Sequence, residues 1–188
     1  RAFAEASELA EVVVAARRPS RALDAAASHP KVRLFLHGDP AVPLGILTRE
    51  AIDVARGDIL LIAYSDDSYT TRDLAKLLVY VRDADLVVGT RTTRQMIEQG
   101  SNMRGMARAA HVALAKLLET LWWRFDSRFT DVGCVYRAFW RSTWTLIRDE
   151  LESPGVEIFP EMMIEVLRAR RRVIEIPVHY CVRSADFD

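Results

Sequence analysis

Short apolar segments of strand length alternate along this chain with amphipathic segments of helical length. The apolar segments 59–63 and 86–89 are separated by residues 71–82, in which Leu74, Leu77 and Val81 recur at helical spacing. Such alternation is the sequence pattern of an α/β sheet whose strands run parallel and whose faces are covered by helices. The predicted fold class is therefore α/β, a Rossmann-like three-layer sandwich with a mainly parallel central sheet.

The same two patterns predict the remaining elements. Strands are predicted at 11–16, 32–36, 134–139 and 173–182, and helices before residue 10 and at 19–27, 44–55, 103–125, 141–151 and 160–170. No linker composition separates these segments, and a length of 188 residues is ordinary for one domain. We expect a single domain over residues 1–188.

Composition and charge narrow the class of partner and the setting. Lys plus Arg and Asp plus Glu number 26 each, so no global field attracts nucleic acid and no nucleic-acid partner is expected. The two cysteines, Cys134 and Cys181, form no metal-binding or disulfide pattern, which favours a reducing, cytoplasmic setting. No segment approaches the roughly 18 to 20 apolar residues of a membrane-spanning helix. Since the chain opens on Arg1, we interpret it as part of a longer protein.

The densest polar segment, YSDDSYT at residues 64–70, follows a predicted strand directly. In open α/β sheets, ligands bind in the crevice outside the carboxyl ends of the strands. Asp66, Asp67 and Ser68 offer the hard oxygen ligands with which Mg²⁺ or Mn²⁺ bridges a nucleotide diphosphate. The alternative is a solvated turn whose Asp and Ser side chains cap the next helix.

Two arginines and an aspartate follow at positions suited to a phosphate-bearing ligand. Arg91 comes directly after the strand 86–89, where a guanidinium could hold a phosphate through two hydrogen bonds. Arg104, at the start of the long helix 103–125, could make a second phosphate contact. Asp131 precedes a strand, where it could orient an acceptor or pair with a buried arginine such as Arg137. For each arginine, a surface charge or salt bridge remains the alternative.

Taken in order, five motifs resemble those of family-2 glycosyltransferases of the polyprenyl-phosphate sugar transferase type, the group of dolichyl-phosphate mannose synthase. The motifs are ARGDILL, YSDDSYTTRDLAKLL, ADLVVGTR, DVGCVYRAFWRS and FPEMMIEVLRARRRVIEIPVHY, and the resemblance extends over about residues 11–183. It implies a GT-A fold, a nucleotide-sugar donor of the GDP-mannose or UDP-glucose type, and a divalent metal, Mg²⁺ or Mn²⁺. It also implies transfer of a hexose to a polyprenyl phosphate or related acceptor.

The resemblance assigns roles to individual residues by position. Asp66 matches the second carboxylate of the family's Asp-x-Asp motif, which meets the metal, and Ser68 matches a neighbouring metal-side position. Asp66, Asp67 and Arg183 are then the donor-binding residues. Arg91 and Arg104 match the arginines that hold the acceptor phosphate. Asp131 completes the set of catalytic candidates, Asp66, Arg91, Arg104 and Asp131, as a positioning residue.

The sequence departs from the family pattern at several places. Tyr64 occupies the position of the first Asp of Asp-x-Asp, and Ala15 and Ala16 stand where acidic residues usually grip the nucleoside. The usual opening strand is missing. These departures keep open a non-catalytic glycosyltransferase-like binding module, and another nucleotide-using enzyme such as a nucleotidyltransferase also remains open.

The long helix 103–125 bears on localisation. Trp122, Trp123 and Arg124 lie near its end, and tryptophan favours the membrane interface. Peripheral contact with the inner face of a membrane and ordinary core packing both explain this pattern.

Overall fold

The computed structural model describes residues 2–96, 105–121 and 128–182. The strands in chain order are β1 (Val12–Ala16), β2 (Val32–Leu36), β3 (Ile59–Ile62), β4 (Leu86–Thr90), β5 (Arg137–Trp140) and β6 (Val173–Pro177). The α-helices are α1 (Ala2–Glu5), α2 (Arg21–Ala27), α3 (Leu44–Val54), α4 (Leu74–Tyr80), α5 (Gly105–Leu121), α6 (Arg141–Ile147) and α7 (Ile158–Arg168).

The strands form a four-stranded sheet in the order β3-β5-β4-β6 and a two-stranded parallel sheet, β1-β2. In the larger sheet β4 and β6 are parallel, while β5 runs antiparallel to both β3 and β4. Three of its four strands therefore point the same way, which confirms the predicted α/β class with a mostly parallel sheet. Strand β5 is the exception, because it enters the sheet from the carboxyl edge of its neighbours.

That reversal decides which residues lie near the carboxyl ends of β3 and β4. Since Ile62 pairs with Arg137 and Val88 also pairs with Arg137, the segment that leads into β5 arrives at this edge. Asp131 lies in that segment. The antiparallel strand thus brings it to the edge at which Arg91 follows β4.

The core is centred on β4, in which every residue is buried. Leu86, Val87 and Val88 have no exposed surface. Helix α4 packs on β4 and β5, and α7 packs on β6. Each fully buried aliphatic side chain of this kind stabilises the fold by about 1.5–3 kcal/mol relative to an exposed one.

Helix α3 begins and ends within one residue of its predicted bounds, and its first turn is pressed against the loop before α7. The Gly45 amide donates to Pro154 O at 2.6 Å. A Cβ on Gly45 would lie only 2.6 Å from Ser153 O. The close approach of the two backbones therefore requires glycine at this position.

The β1-β2 sheet is less buried than the four-stranded sheet. None of the residues of α2 is buried, and every residue of β1 is only partly buried. Side chains join the base of this sheet to the rest, since Glu11 accepts from the Arg56 amide at 2.9 Å and pairs with Arg33 at 2.8 Å. That a usual opening strand is missing stays a prediction.

Among the described residues, no helix has both the length and the apolar character needed to cross a bilayer.

Candidate active site

The acidic loop at residues 64–70 follows β3 and closes on itself through Asp66. The Asp66 carboxylate accepts the Ser68 amide at 3.1 Å and also the Ser68 hydroxyl. Both side chains are buried, whereas Asp67 is exposed and has a left-handed backbone with φ of 60°. Aspartate tolerates that conformation better than most residues. Ser68 therefore fixes the Asp66 carboxylate within the turn.

Contacts with the segment after β6 hold this loop in place. The Cys181 amide donates to Ser68 O at 3.0 Å, and Tyr69 and Tyr180 form an isolated antiparallel bridge. The ring of Tyr69 lies 5.1 Å from that of Tyr136 and 5.5 Å from that of Tyr180, centroid to centroid. Burial raises the pKa of Tyr69 well above its ordinary value, so its hydroxyl stays neutral.

A buried ion pair between Arg91 and Asp131 forms the second part of the site. Arg91 Nε donates to Asp131 Oδ2 at 2.7 Å, and Nη2 donates to Oδ1 at 2.8 Å. The Arg91 amide also donates to Oδ2, at 3.0 Å. This fork arrangement has the geometry of strong charge-assisted pairs. It confirms the interpretation of Asp131 as the partner of a buried arginine, and that arginine is Arg91.

Burial opposes the ionisation of Asp131, but the hydrogen bonds from Arg91 and the contact with His111 outweigh it. The pKa of Asp131 is therefore held well below its ordinary value. For Arg91, burial is likewise outweighed by the hydrogen bond to Asp131, and its pKa is raised above its ordinary value. Both groups are charged at neutral pH, so Asp131 is a poor proton acceptor.

Helix α5 contributes His111 to this pair. His111 Nδ1 lies 3.2 Å from Asp131 Oδ1. A Cβ on Gly133 would lie 2.7 Å from His111 Cε1, so glycine allows the helix to approach the Asp131 segment. On the same helix, Arg108 Nε donates to Thr92 O at 3.0 Å.

A network of hydroxyl groups and a carboxylate holds the segments that carry the ion pair. The hydroxyls of Thr90, Thr92 and Thr130 lie 2.7–2.8 Å from one another. Glu175 accepts the amides of Thr130 and Asp131 at 2.7 and 3.0 Å and also the Thr130 hydroxyl. Burial raises the pKa of Glu175 above its ordinary value. The network fixes the backbone that carries Asp131.

The structure brings most of the predicted site residues to one edge of the sheet. Asp66, Asp67 and Ser68 share the acidic loop, and Arg91 pairs with Asp131. The two groups are linked by Tyr180, because it bridges to Tyr69 and the Arg91 guanidinium lies 5.5 Å from the centroid of its ring. Arg104 and Arg183, together with Trp122, Trp123 and Arg124, lie outside the described residues.

Arg137 has a different environment from the one considered for it. Its guanidinium is fully buried and donates to the carbonyls of Cys134 and Phe159. Burial lowers the pKa of Arg137 to about 10. It lies 5.1 Å from the ring of Phe159, which also contacts Tyr64 edge to face. Arg137 therefore secures α7 to β5.

The acidic loop has carboxylates of the kind that hold a divalent cation when substrate phosphates complete the coordination of that cation. Within residues 2–96, 105–121 and 128–182, no group of three His, Cys, Asp or Glu side chains could hold a metal. Mg²⁺ is usually held by one or two carboxylates together with substrate phosphates and waters. Asp66 and Asp67 supply that number of carboxylates.

Sequence reasoning missed His111, Glu175 and the three threonines. Glu175 contacts residues 44 and 45 positions away, and Thr90 contacts Thr130 across 40 positions. No short motif joins such residues. The one local signal was the sequence Thr90-Arg91-Thr92, in which two hydroxyl side chains flank the arginine.

Two glycosyltransferases of known name are similar to this chain in sequence. No family model matches the chain. A glycosyltransferase of Haloferax volcanii, AglD, is 29% identical over 157 residues, which are 82% of this chain and 24% of that protein. An undecaprenyl-phosphate mannosyltransferase of Micrococcus luteus is 27% identical over 130 residues, which are 68% of this chain and 51% of that protein. The chain thus spans about a quarter and about half of these two relatives.

Solved structures show the fold. Glucosyl-3-phosphoglycerate synthase of Mycobacterium tuberculosis, in complex with Mn²⁺, UDP and phosphoglyceric acid, superposes with a TM-score of 0.64 at 16% identity. The match covers 93% of this chain and 59% of that one. TarS of S. aureus, residues 1–349, gives a TM-score of 0.59 at 13% identity over 97% of this chain and 54% of that one. The chain therefore has the GT-A glycosyltransferase fold, and the resemblance to family-2 glycosyltransferases that its motifs predicted is confirmed.

Proposed function

We propose that the chain is the core of a glycosyltransferase that moves a hexose from a nucleotide-diphosphate sugar to a polyprenyl phosphate. The observation that supports this most is that an acidic loop and a rigidly held arginine lie at the same edge of the sheet. Moving a hexose from a diphosphate donor to a phosphate acceptor calls for metal-binding carboxylates at the departing diphosphate and a cationic group at the acceptor phosphate. The relatives named glycosyltransferase and undecaprenyl-phosphate mannosyltransferase support the same reaction class.

The donor belongs at the acidic loop. Asp66 and Asp67 would hold Mg²⁺ or Mn²⁺ against the donor diphosphate, and the buried Ser68 would keep the Asp66 carboxylate in position. When bound, the metal neutralises negative charge on the departing diphosphate. Arg183, which the resemblance places near the donor phosphates, is part of this proposal.

The acceptor phosphate belongs at Arg91, with Arg104 as the second contact implied by the resemblance. Asp131 engages Nε and Nη2 of Arg91. That leaves Nη1 for a phosphate oxygen. An acceptor phosphate is already ionised, so its oxygen can form the bond to the anomeric carbon while the bond from that carbon to the diphosphate breaks. The reaction then needs no general base, which suits an Asp131 that positions Arg91.

Titration calorimetry with Mn²⁺ present tests the donor site. GDP-mannose and then UDP-glucose are titrated into the wild type, Asp66→Ala and the control Asp149→Ala, whose carboxylate is exposed and far from the loop in sequence. We expect saturable binding of one donor to the wild type and to the control, and a loss of at least about tenfold in affinity in Asp66→Ala. A wild type that binds neither donor would contradict the proposal.

Product analysis then separates the other candidates. Transfer to a polyprenyl phosphate releases a nucleoside diphosphate, whereas a nucleotidyltransferase would release pyrophosphate. Tyr64, packed edge to face on Phe159 at the position of the first Asp of Asp-x-Asp, is the observation that favours a non-catalytic module. Donor binding without any released nucleoside diphosphate would support that module.

A further inference from the structure

Helix α5 presents a histidine beside the ion pair proposed to hold the acceptor phosphate. His111 Nδ1 is buried and lies 3.2 Å from Asp131 Oδ1, the oxygen that also accepts from Arg91 Nη2. Arg108, three residues earlier on α5, donates to Thr92 O and so ties the helix to the segment after β4. The imidazole and the Arg91 guanidinium therefore meet at the same carboxylate oxygen.

Gly133 leaves the space that this arrangement needs. A Cβ at that position would lie 2.7 Å from His111 Cε1 and 3.6 Å from Arg91 Nη2. A larger residue there would displace the ring. The imidazole and the guanidinium thus flank one glycine and lie close to each other as well as to Asp131.

The imidazole is the most accessible side chain of this group. The exposed fraction of the side chain is 33% for His111, 10% for Arg91 and 0% for Asp131. Because Nδ1 is buried, the exposed surface of His111 lies on the rest of the side chain. Nε2, on the other side of the ring, has no hydrogen-bond partner among the residues that the structure describes. A ligand that enters from solvent can therefore reach this nitrogen.

The charge balance of the site calls for a further cation. Arg91 and Asp131 are both ionised, so their charges cancel, whereas a phosphate monoester carries about −1.5 to −2 at neutral pH. The Asp131 carboxylate only accepts hydrogen bonds, so its position favours a hydrogen on Nδ1. A second hydrogen on Nε2 makes the ring a cation, which can face Asp131 on one side and a phosphate on the other. Hydrogen bonds between charged groups are roughly twice as strong as neutral ones.

We infer that His111 is a further acceptor-binding residue, whose Nε2 donates a hydrogen bond to an oxygen of the acceptor phosphate while Nδ1 faces Asp131. Arg91 Nη1 would hold a second oxygen of the same phosphate. The inference rests on the proposed function for the identity of the acceptor as a polyprenyl phosphate. The contact itself, between an imidazole and a phosphate monoester, is testable without donor or turnover.

Two amide substitutions distinguish the roles of the two ring nitrogens. The amide nitrogen of glutamine can lie where Nε2 lies, whereas that of asparagine reaches only as far as Nδ1. The KM for farnesyl phosphate, a short-chain polyprenyl phosphate, is measured for the wild type, His111→Gln, His111→Asn and His111→Ala. The matched control is His29→Gln, because the His29 ring accepts from the Lys31 amide between α2 and β2, outside the candidate site.

We expect His111→Asn and His111→Ala to raise this KM at least about tenfold, the effect of losing one hydrogen bond between charged groups. His111→Gln should raise it by a smaller factor, and the control should leave it unchanged. The kcat and the KM for the donor should stay the same in all variants, because the contact holds the acceptor equally in the ground state and the transition state. An unchanged KM in His111→Asn together with a raised one in His111→Gln would overturn the inference, since the ring would then act only through Asp131. Wild-type values in all three variants would overturn it as well.

Nuclear magnetic resonance of the wild type labelled with ¹⁵N-histidine tests the contact without substituting His111. The signals of His111 are identified by elimination, with single glutamine variants of His29, His37 and His179. Adding farnesyl phosphate should raise the fraction of molecules in which Nε2 is protonated, while Nδ1 stays protonated. Inorganic phosphate is the second probe: an equal response means that the phosphate group alone is recognised, and a weaker one that the lipid adds to binding. Either response supports the contact, and no change with either probe would overturn the inference.

Failure of the proposed function gives a different result. A chain in which farnesyl phosphate protonates Nε2 of His111, but which transfers no hexose, would contradict the proposed function alone. A chain that transfers hexose to farnesyl phosphate with the same KM in the wild type and His111→Ala would contradict the inference about His111 alone.

Discussion

At Asp131, burial and charge oppose each other directly. Its side chain has no exposed surface, yet it is ionised because Arg91 donates to both of its oxygens. Breaking a buried pair leaves an uncompensated charge, which costs more than the pair itself contributes. The consequence for function is that Asp131 controls where the Arg91 guanidinium lies.

We therefore expect Asp131→Asn to lower the free energy of unfolding by about 3–5 kcal/mol, because it leaves the Arg91 guanidinium buried without a counter-charge. Urea denaturation at neutral pH measures this. The exposed control Asp149→Asn should change stability by less than about 0.5 kcal/mol.

The pH dependence of that difference follows from the pKa of Asp131. Since its folded pKa is depressed, its contribution is complete above the ordinary value of 3.8 and is lost as the pH falls through the folded pKa. The difference in unfolding free energy between wild type and Asp131→Asn should thus narrow as the pH is lowered below 3.8.

A double variant tests the coupling of the pair. Arg91→Met/Asp131→Leu should lower the free energy of unfolding by less than the sum of the losses caused by Arg91→Met alone and Asp131→Leu alone. Additive losses, or a difference that widens in acid, would show that the pair is not coupled as described.

At the scale of elements, the contact between α3 and the loop before α7 depends on the absence of a Cβ at Gly45. A Cβ on Gly45 would approach three backbone atoms of residues 153–155 at 2.6–2.7 Å. Backbone atoms cannot rotate away as a side chain can. The helix and the loop would have to separate.

Gly45→Ala should therefore lower the free energy of unfolding by about 1–3 kcal/mol, the usual cost of overpacking. This cost exceeds what alanine gains over glycine in a helix. Gly38→Ala is the matched control, because a Cβ there would meet nothing within 4 Å. Thermal denaturation compares the two, and equal melting temperatures would mean that the loop yields at little cost.

The elements also show what the sequence could predict. The bounds of β2, β4 and α3 agree with the predicted ones within one residue, because apolar runs and helical spacing are local signals. The direction of β5 was not predictable in this way, since pairing with β3 and β4 is decided by the path of the chain. The acidic loop and Arg91 were found from their positions after strands, whereas His111 and Glu175 depend on contacts between distant segments.

At the scale of the whole molecule, the sheet is in two parts with different degrees of burial. The four-stranded sheet contains β4, whose residues are buried throughout, while β1, β2 and α2 contain no buried residue. Side-chain hydrogen bonds such as the one that Glu11 accepts from the Arg56 amide join the two parts. Few buried apolar contacts mean low local stability.

This division has a consequence for how the molecule opens. Amide hydrogens of β1 and β2 should exchange with solvent by local unfolding, at least about a hundredfold faster than those of Leu86, Val87 and Val88 in β4, which need global unfolding. Hydrogen exchange followed by mass spectrometry of proteolytic fragments measures both sets in one sample. Equal protection would mean that the two sheets unfold as one cooperative unit. Unequal protection would mean that residues 12–36 can open and close while the edge that carries Asp66 and Arg91 stays intact.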